Sequence, residues 1–434
     1  MVVRCQNEKF SGILSINDTI YCIIACSNPL IMKYSQIISS LEESATLGIA
    51  KKVRELTAEG RDVIGLTLGE PDFDTPDHIR EAAKKALDDG FTHYAPVSGY
   101  PALRNAIVDK LKRENGLNYK PNQIVVSTGA KQSLYNVILA LMNPGDGAVL
   151  IAPYWVSYEA MLHLVQAETT IVNTDIDSAY KISPEELDAA IKPHTKLVVF
   201  NTPSNPTGSM YTREETDALV AVLEKYPDVF IISDEIYEHI AYDQEHVSLG
   251  TYASIYDRVI TVNGFAKGYA MTGWRLGYIA ASVEIAELCE KLQGQCTSGA
   301  NSFSQMGAVA ALNGDMSTTT AMRDEFLRRR DIMFQQLKEI EGVKVILPDG
   351  AFYFYPDLSA FLGRQTPQGE IIKDIDDLCL YILDEEGLAL VPGTAFGTQT
   401  HVRISYAYAT DILEDGVSRL RRSLEKLIPV EVNA

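Results

Sequence analysis

Short runs of β-branched residues alternate with longer stretches of helical periodicity from about residue 123 onward. The apolar run at residues 123–127 predicts a strand, and residues 129–142, with apolar positions at helical spacing, predict the helix after it. The same pattern predicts further strands at residues 148–151, 196–200, 229–232, 258–262 and 277–281. Because these runs are apolar almost throughout, both faces of each strand should be covered, as in a mainly parallel sheet. Such sheets bind ligands beyond the carboxyl ends of their strands, so the residues after each run are the candidates for chemistry.

Beyond about Asn313 the pattern changes to that of a smaller α+β domain. A charged helical stretch precedes short apolar runs and a final helix, in the order 322–342, 343–348, 351–355, 388–392, 401–408 and 412–427. A helix predicted at residues 46–60 must bury its apolar face, and we expect segment 46–74 to pack with this second domain. The prediction is a large domain over residues 75–312 and a small domain formed by residues 32–74 and 313–434. Residues 1–31 are expected to be a leader, either a disordered tail or an upstream mis-start.

Composition and charge narrow the classes of function. The chain of 434 residues carries 58 acidic and 38 basic side chains, a net charge of -20 that repels phosphate backbones, so nucleic acid is not an expected partner. The six cysteines show no disulfide or zinc spacing and the seven histidines form no H-E-x-x-H motif, which predicts a metal-free protein in a reducing compartment, the cytoplasm. The apolar run at residues 20–26 is too short to cross a bilayer, and no membrane partner is expected.

Several strand ends carry polar motifs that are ambiguous when each is taken alone. Small residues open a helix at residues 128–131, where free backbone N–H groups can bind an anion, although such a turn is commonly only structural. Residues 201–208 (NTPSNPTG) have the composition of a simple turn. Asp234 follows the run at residues 229–232, where an acid is often just a helix cap.

A purely structural role is harder to assign to Lys267 than to these motifs. It stands after the run at residues 258–262 in an apolar setting that includes Phe265, Ala266 and Tyr269. Burial disfavours the ammonium form, lowers the pKa of the amine and makes it a nucleophile towards carbonyl groups. Arg275, eight positions further, offers a planar fork for a phosphate.

At these residues the sequence resembles the class I aminotransferases of the aspartate aminotransferase type, and most closely their bacterial 1-beta subgroup. The resemblance runs from about Ser44 to the C-terminus. Seven motifs occur in the order of that family: GEPDFDTP, HYAPVSGYPALR, PYWVSY, NPTG, SDEIYE, AKGYAMTGWRLGY and HVRISYA. The resemblance implies the α/β architecture of fold type I pyridoxal-phosphate enzymes. In that architecture a large cofactor-binding domain has a mainly parallel seven-stranded sheet covered by helices, and a smaller domain is α+β.

The resemblance also implies roles around a pyridoxal 5′-phosphate cofactor. Lys267 would hold the cofactor as an internal aldimine and, once displaced by substrate, would shuttle a proton as general base and acid. Asp234 would pair with the protonated ring nitrogen and keep the ring an electron sink. Tyr237 and Asn205 would hydrogen-bond the ring oxygen, and Trp155 would stack on the ring.

The phosphate of the cofactor would be held by Arg275 and by the backbone of Gly129 and Ala130, with Lys131 also bordering the cofactor. Tyr94 would reach this phosphate from a neighbouring subunit. That role requires a homodimer with shared active sites.

For the substrate, the resemblance implies a bidentate contact between Arg403 and the α-carboxylate, which the Gly69 backbone would also touch. Trp155 and Asn205 would border the substrate, and Lys131 is the candidate for a distal carboxylate. These roles predict transfer of an amino group from aspartate to 2-oxoglutarate by a ping-pong mechanism through the Lys267 aldimine. The expected substrates are therefore an amino acid and a 2-oxo acid.

Two positions depart from the pattern of the family. Gly264 stands where many relatives have a serine that contacts the phosphate, and residues 41–46 (LEESAT) replace a segment in which prephenate-using relatives have a lysine. An acid at Glu42 would repel a second carboxylate there, which favours aspartate over prephenate.

Other functions stay open at this point. An aminotransferase for prephenate or for aromatic or other amino acids, and a β-lyase, would share Lys267 and Asp234. A non-catalytic regulator on the same fold would need a basic DNA-binding domain, and the first 31 residues are too short and too poor in lysine and arginine. A nucleotide-binding Rossmann enzyme would need a G-x-G-x-x-G motif after an early strand, and the sequence has none there, which argues against this alternative.

Overall fold

The computed structural model describes residues 34–43 and 45–430. The described strands are β1 Ile64–Gly65, β2 Ile124–Ser127, β3 Gly147–Ala152, β4 Glu168–Asn173, β5 Thr195–Asn201, β6 Phe230–Asp234, β7 Val259–Gly264, β8 Gly277–Ala280, β9 Tyr353–Phe354, β10 Leu388–Ala389, β11 Val391–Pro392 and β12 Val402–Ser405. The described α-helices are α1 Gln36–Ser39, α2 Ala45–Ala58, α3 Asp77–Asp88, α4 Pro101–Asn115, α5 Ala130–Leu141, α6 Ser157–Leu164, α7 Pro184–Ala190, α8 Arg213–Leu223, α9 Val283–Cys296, α10 Ser302–Asn313, α11 Ser317–Leu337, α12 Ile375–Glu386 and α13 Thr410–Glu425.

The chain divides into two compact units between Leu41 and Glu42. The first contains α1, whose first turn is capped by the Ser35 side chain. All of the other elements belong to the second unit. The predicted leader, residues 1–31, lies outside the described residues.

A seven-stranded sheet, in the order β2-β8-β7-β6-β5-β3-β4, is the centre of the second unit. Strands β7, β6, β5, β3 and β4 are mutually parallel, and β8 runs antiparallel to both of its neighbours. The predicted mainly parallel sheet is therefore confirmed. Because the parallel strands end at the same edge, residues after β3, β5, β6 and β7 are brought together there.

Both faces of this sheet are covered, as the apolar character of its strands predicts. Val125 packs with apolar residues of α5, α6 and α9 on one face, whereas Ile124 and Val126 pack with α3, α4 and α10 on the other. Further along the sheet, Val198 packs with α7 and α8. This alternation follows the period of two residues in a strand.

The structure corrects several predicted elements. The edge strand β4 was not predicted, because its residues are only partly buried or exposed and lack a continuous apolar run. The helix predicted at residues 322–342 is α11, which begins at Ser317 and ends at Leu337. The run at residues 343–348 contains one isolated bridge, from Lys344 to Asp357, in place of a strand.

A second core surrounds two smaller sheets near the C-terminus. Strand β1 pairs in parallel with β10, and β12 lies between β11 and β9 in an antiparallel sheet. Helix α2 packs Val53 and Leu56 against Leu383 and Ala389, so the early segment does bury its apolar face on C-terminal residues. The domain boundaries at residues 75 and 312 stay a prediction. Among the described residues, none of the helices has the length and apolar character needed to traverse a bilayer.

Candidate active site

A cavity of about 320 Å³ lies at the carboxyl edge of the large sheet. Its size suits a small-molecule ligand. The predicted site residues that line it are Gly69, Ala130, Lys131, Trp155, Asn205, Asp234, Tyr237, Lys267, Arg275 and Arg403. The fold thus collects at one place residues that the sequence distributes over more than 300 positions.

Lys267 follows β7 and extends its amino group into this cavity. Its Nζ donates a hydrogen bond to the Gly69 carbonyl and lies 5.7 Å from the ring centroids of Tyr237 and Phe352. Burial lowers the pKa of Lys267 to about 8, and the positive charge of Arg403 adds to that effect. About a tenth of the amine is therefore neutral and nucleophilic at pH 7, far more than for an exposed lysine.

Asp234 ends β6 and is buried at the floor of the cavity. The Tyr158 hydroxyl donates to its Oδ2 at 2.6 Å, and the Ile236 N–H donates to its Oδ1 at 3.3 Å. Burial raises the pKa of Asp234 to about 6, although the Tyr158 hydrogen bond acts in the opposite direction. A carboxylate held in this way favours a cationic partner that shares its burial.

Arg275 and the start of α5 form a corner suited to an anion. Arg275 has a φ of 55° and donates from Nη1 to the Thr272 carbonyl at 2.9 Å. Gly129, with a φ of 87°, precedes α5, and a Cβ there would lie 2.7 Å from Arg275 Nη2. Only glycine lets the guanidinium approach the helix N-terminus this closely, and both groups can then bind one phosphate.

Gly264, one of the two departures from the family pattern, has a structural reason. A Cβ at this position would lie 2.9 Å from the Leu276 carbonyl oxygen and 3.0 Å from the Gly277 Cα. A serine would therefore require β7 and β8 to separate. The phosphate contact of that serine has no counterpart at residue 264.

Arg403, on β12, is 2% exposed and also lines the cavity. It donates from Nη1 to Asn205 Oδ1 at 2.9 Å and from Nη2 to the Thr67 carbonyl at 2.6 Å. Its guanidinium carbon lies 4.5 Å from the ring centroid of Tyr353, and its buried Nε has no hydrogen-bond partner among the described residues. A buried donor without an acceptor fits an incoming carboxylate.

Lys131 borders the same cavity at the first turn of α5. Its Nζ lies 4.8 Å from the ring centroid of Trp155. Burial, together with the charge of Arg275, lowers its pKa. The position adds a further cation beside the anion corner.

Two predicted site residues do not line the cavity. Tyr94 is 93% exposed, as a residue that acts in another subunit would be, and its role stays a prediction. Gly129 contributes through the close approach of Arg275 described above.

Glu42 is exposed and does not border the cavity, whereas Thr46 and Leu47 do. The predicted repulsion by Glu42 therefore has no support in the arrangement of this chain.

Sequence reasoning missed several cavity residues. Tyr158 belongs to the motif PYWVSY, which was a signal, but its bond to Asp234 joins positions 76 residues apart. Asn201 stands at the end of β5, where its Nδ2 donates to the Asp234 carbonyl at 3.0 Å. Tyr353, whose hydroxyl lies 2.7 Å from that of Tyr237, had no local signal.

An ionic network behind the sheet anchors the segment that carries Asp234 and Tyr237. The buried Lys110 contacts Glu238, which also accepts a hydrogen bond from Asn263 Nδ2 at 2.8 Å. Carboxylate and imidazole atoms lie within 4.8 Å of one another in two groups that share Glu238, namely Glu114, Glu238 and His239, and Glu235, Glu238 and His246. Lys110 already supplies a cation there. That the protein is metal-free stays a prediction.

Comparison with known proteins agrees with this geometry. The family description "Aminotransferase class I and II" matches residues 61–420. An aspartate/prephenate aminotransferase of Cereibacter sphaeroides is 45% identical over 89% of this chain and 97% of its own length. Among solved structures, an aspartate aminotransferase from Rhizobium meliloti has a TM-score of 0.88 and 39% identity over 91% of this chain and 99% of its own. One from Thermus thermophilus with maleate has a TM-score of 0.84 and 37% identity, over 90% and 99%. The predicted fold and the predicted resemblance are confirmed.

Proposed function

We propose that this chain, which belongs to the class I and II aminotransferases, transfers the amino group of aspartate to 2-oxoglutarate with pyridoxal 5′-phosphate as its cofactor. The observation that carries the proposal is the position of Lys267. Its amine, with a pKa lowered to about 8, lies in a cavity that is bordered by Asp234 and Arg403. One nucleophile is thus placed between an acidic and a basic binding group.

The cavity fits this cofactor at two places. The buried Asp234 carboxylate, which forms no ion pair among the described residues, suits a protonated ring nitrogen. The corner of Gly129, Ala130 and Arg275 suits the phosphate, since a Cβ at Gly129 would fill it. When bound, the cofactor supplies a carbonyl carbon and a ring that accepts the electrons of a deprotonated α-carbon.

The residues of the chain then have separate tasks. Lys267 binds the cofactor and moves a proton from and to the substrate, which a pKa near neutrality allows in both directions. Asp234 keeps the ring nitrogen protonated, and Tyr237 and Asn205 orient the ring through its oxygen. Trp155 lines the cavity, where its indole can stack on the cofactor ring.

A dicarboxylic substrate is supported by two cationic side chains that border the cavity in addition to Lys267 and Arg275. Arg403 offers its unpartnered Nε to the α-carboxylate, and Lys131 offers a second cation for the distal carboxylate. The Thermus thermophilus relative is named with the dicarboxylate maleate. Prephenate, which also has two carboxylates, is the second candidate acceptor, because the Cereibacter sphaeroides relative is named for it and because the partly exposed Leu47 and Leu68 border the cavity with apolar surface.

A homodimer in the cytoplasm is part of the proposal. The exposed Tyr94 would complete the phosphate site of a second copy. The described cysteines Cys289, Cys296 and Cys379 are all unpaired, as in proteins of reducing compartments.

The test combines cofactor loading with a panel of substrates. Purified wild-type protein should be yellow and should transaminate aspartate with 2-oxoglutarate, while oxaloacetate, prephenate and aromatic donors rank the alternatives. Lys267→Ala should lose the covalently held cofactor and at least about 10³-fold in kcat, since nucleophile and proton carrier are both removed. Lys84→Ala, which removes an exposed lysine of α3, is the matched control. Retained activity in Lys267→Ala would refute the proposal, and a wild-type preference for aromatic donors would reassign the substrate.

A further inference from the structure

We propose that Tyr353 is a positioning residue that joins the two ends of the active site: its hydroxyl sets the donor strength of Tyr237, and its ring holds Arg403 in place. The inference rests on the proposed function. Tyr353 lies on β9, is fully buried and lines the cavity. Three observations support it, one for each neighbour of its side chain.

The hydroxyl contact with Tyr237 has a preferred direction. The two oxygens are 2.7 Å apart, and burial raises the pKa of both phenols, so both keep their protons at neutral pH. Each phenol has one proton to donate. Tyr237 can therefore donate into the cavity only when Tyr353 donates to Tyr237.

Electrostatics favour that direction. The charge of Arg403 acts against the effect of burial on the pKa of both phenols, but Arg403 lies directly over Tyr353, with its guanidinium carbon 4.5 Å from that ring centroid. A cation this close to the ring of Tyr353 polarises its O–H bond, which favours Tyr353 as the donor of the pair. A hydrogen bond received by Tyr237 polarises its own O–H bond and makes it a stronger donor to the ring oxygen of the cofactor.

The ring of Tyr353 supports the guanidinium of Arg403. The guanidinium carbon lies 4.5 Å from the ring centroid, within the range of a cation–π interaction. Asn205 and the Thr67 carbonyl fix the two terminal nitrogens of Arg403. The ring therefore adds the third constraint that a planar fork needs for a defined orientation.

The backbone at Gly69 comes close to the same hydroxyl. A Cβ at Gly69 would clash with the oxygen of Tyr353. Gly69, whose backbone is expected to touch the α-carboxylate, therefore has no room for a side chain next to Tyr353. Tyr353 contacts groups assigned to the cofactor and groups assigned to the substrate.

Two substitutions separate the two tasks. Tyr353→Phe removes the hydroxyl and keeps the ring, so the pH midpoint of the visible absorbance of the loaded enzyme should rise by ~0.5 pH unit, because a weaker Tyr237 donor leaves the cofactor more basic. Binding of succinate, an unreactive dicarboxylate, should change by less than about twofold in this variant. Tyr353→Leu also removes the ring and should weaken succinate binding by about 5- to 30-fold.

Controls distinguish positioning from packing. Tyr406→Phe removes a hydroxyl that is equally buried and also contacts a second tyrosine, Tyr242, at 3.1 Å, outside the cavity. It should leave the absorbance midpoint unchanged. The double variant Tyr237→Phe/Tyr353→Phe should shift no further than Tyr237→Phe alone, because the hydroxyl of Tyr353 acts through Tyr237.

Additive shifts in the double variant, or an unchanged midpoint in Tyr353→Phe, would overturn the inference. These outcomes differ from failure of the proposed function, in which the wild type itself would show no yellow band and no succinate binding. If Tyr353→Leu does not fold, the Phe series still decides the role of the hydroxyl.

Discussion

Burial shifts the ionisation of Lys267 and Asp234 in opposite directions at the level of single residues. The pKa of the amine falls to about 8 and that of the carboxyl rises to about 6. Both shifts oppose the charged form, as expected when water is removed from around an ion. A ligand that brings complementary charge into the cavity should remove part of this cost.

A stability prediction follows for Asp234 in the cofactor-free protein. The unfolded chain loses this proton near pH 4 and the folded chain near pH 6, so the contribution of Asp234 to stability is present at low pH and is lost as the pH rises through 6. Asp234→Asn carries no charge. Above pH 6 its cofactor-free form should be about 2–3 kcal/mol more stable than the cofactor-free wild type, and the gap should close towards pH 4.

Urea unfolding at several pH values measures this difference. Asp109→Asn, at an exposed position of α4, is the control and should show no gap. If the cofactor-free Asp234→Asn variant is less stable than the cofactor-free wild type at pH 7, the predicted direction of the stability difference is wrong.

Much of the site could be predicted residue by residue, and the omissions have a common cause. Lys267, Asp234 and Asn205 stand at strand ends inside recognisable motifs, so position and chemistry coincide in the sequence. Tyr353 stands in a short apolar run whose local pattern indicates only a buried strand. Its role depends on the contact with Tyr237, which is 116 residues away in the sequence, and no local pattern can show such a contact.

Among the elements, the loop from Lys267 to Arg275 holds the backbone in a costly conformation. Ala270 and Arg275 both have positive φ, at 51° and 55°. The Thr75 hydroxyl donates to the Ala270 carbonyl at 2.6 Å and accepts from Trp274 Nε1 at 3.0 Å. One hydroxyl thus ties both ends of the strained region to the segment before α3.

Thr75→Val should loosen this loop and weaken cofactor retention by about tenfold, since the hydrogen bonds of the Thr75 hydroxyl to Ala270 and from Trp274 are both lost. Thr216→Val is the matched control, because the Thr216 hydroxyl also donates to a carbonyl, at 2.7 Å, away from the cavity. Thr216→Val should lose about 1 kcal/mol of stability and Thr75→Val about 2 kcal/mol. The cofactor that remains bound after dialysis against buffer is measured by its absorbance. Equal retention of the cofactor by both variants would disprove the role of Thr75.

Element prediction succeeded where burial was uniform and failed where it was mixed. The strands β2, β3, β5, β6, β7 and β8 were predicted to within about two residues, because each is buried on both faces. Strand β4 lies at an edge and its side chains are partly exposed. Helix α11 begins at Ser317, in a polar stretch of threonines that gives no apolar period.

The whole molecule, as proposed, works as a pair in which each copy completes the site of the other. Mixing Lys267→Ala protein with Tyr94→Ala protein tests this directly. In a mixed dimer one site combines Lys267 of one copy with Tyr94 of its partner and is intact. Dissociation and reassociation of an equal mixture should recover about one quarter of wild-type activity, since half of the dimers are mixed and each has one intact site.

Each variant alone, treated in the same way, is the control and should stay nearly inactive. No recovery in a mixture that forms dimers would mean that Tyr94 acts within its own chain or not at all.

The pairing of β1 with β10 has a consequence for synthesis of the protein on the ribosome. Ile64 pairs with Leu388, which is made more than 300 residues later. At ordinary translation rates this delay is on the order of 15 to 60 s. During that time β1, which precedes Gly69, lacks the strand with which it pairs. A chain cut short before Leu388 would lack both this strand and Arg403, so it could not complete the cavity.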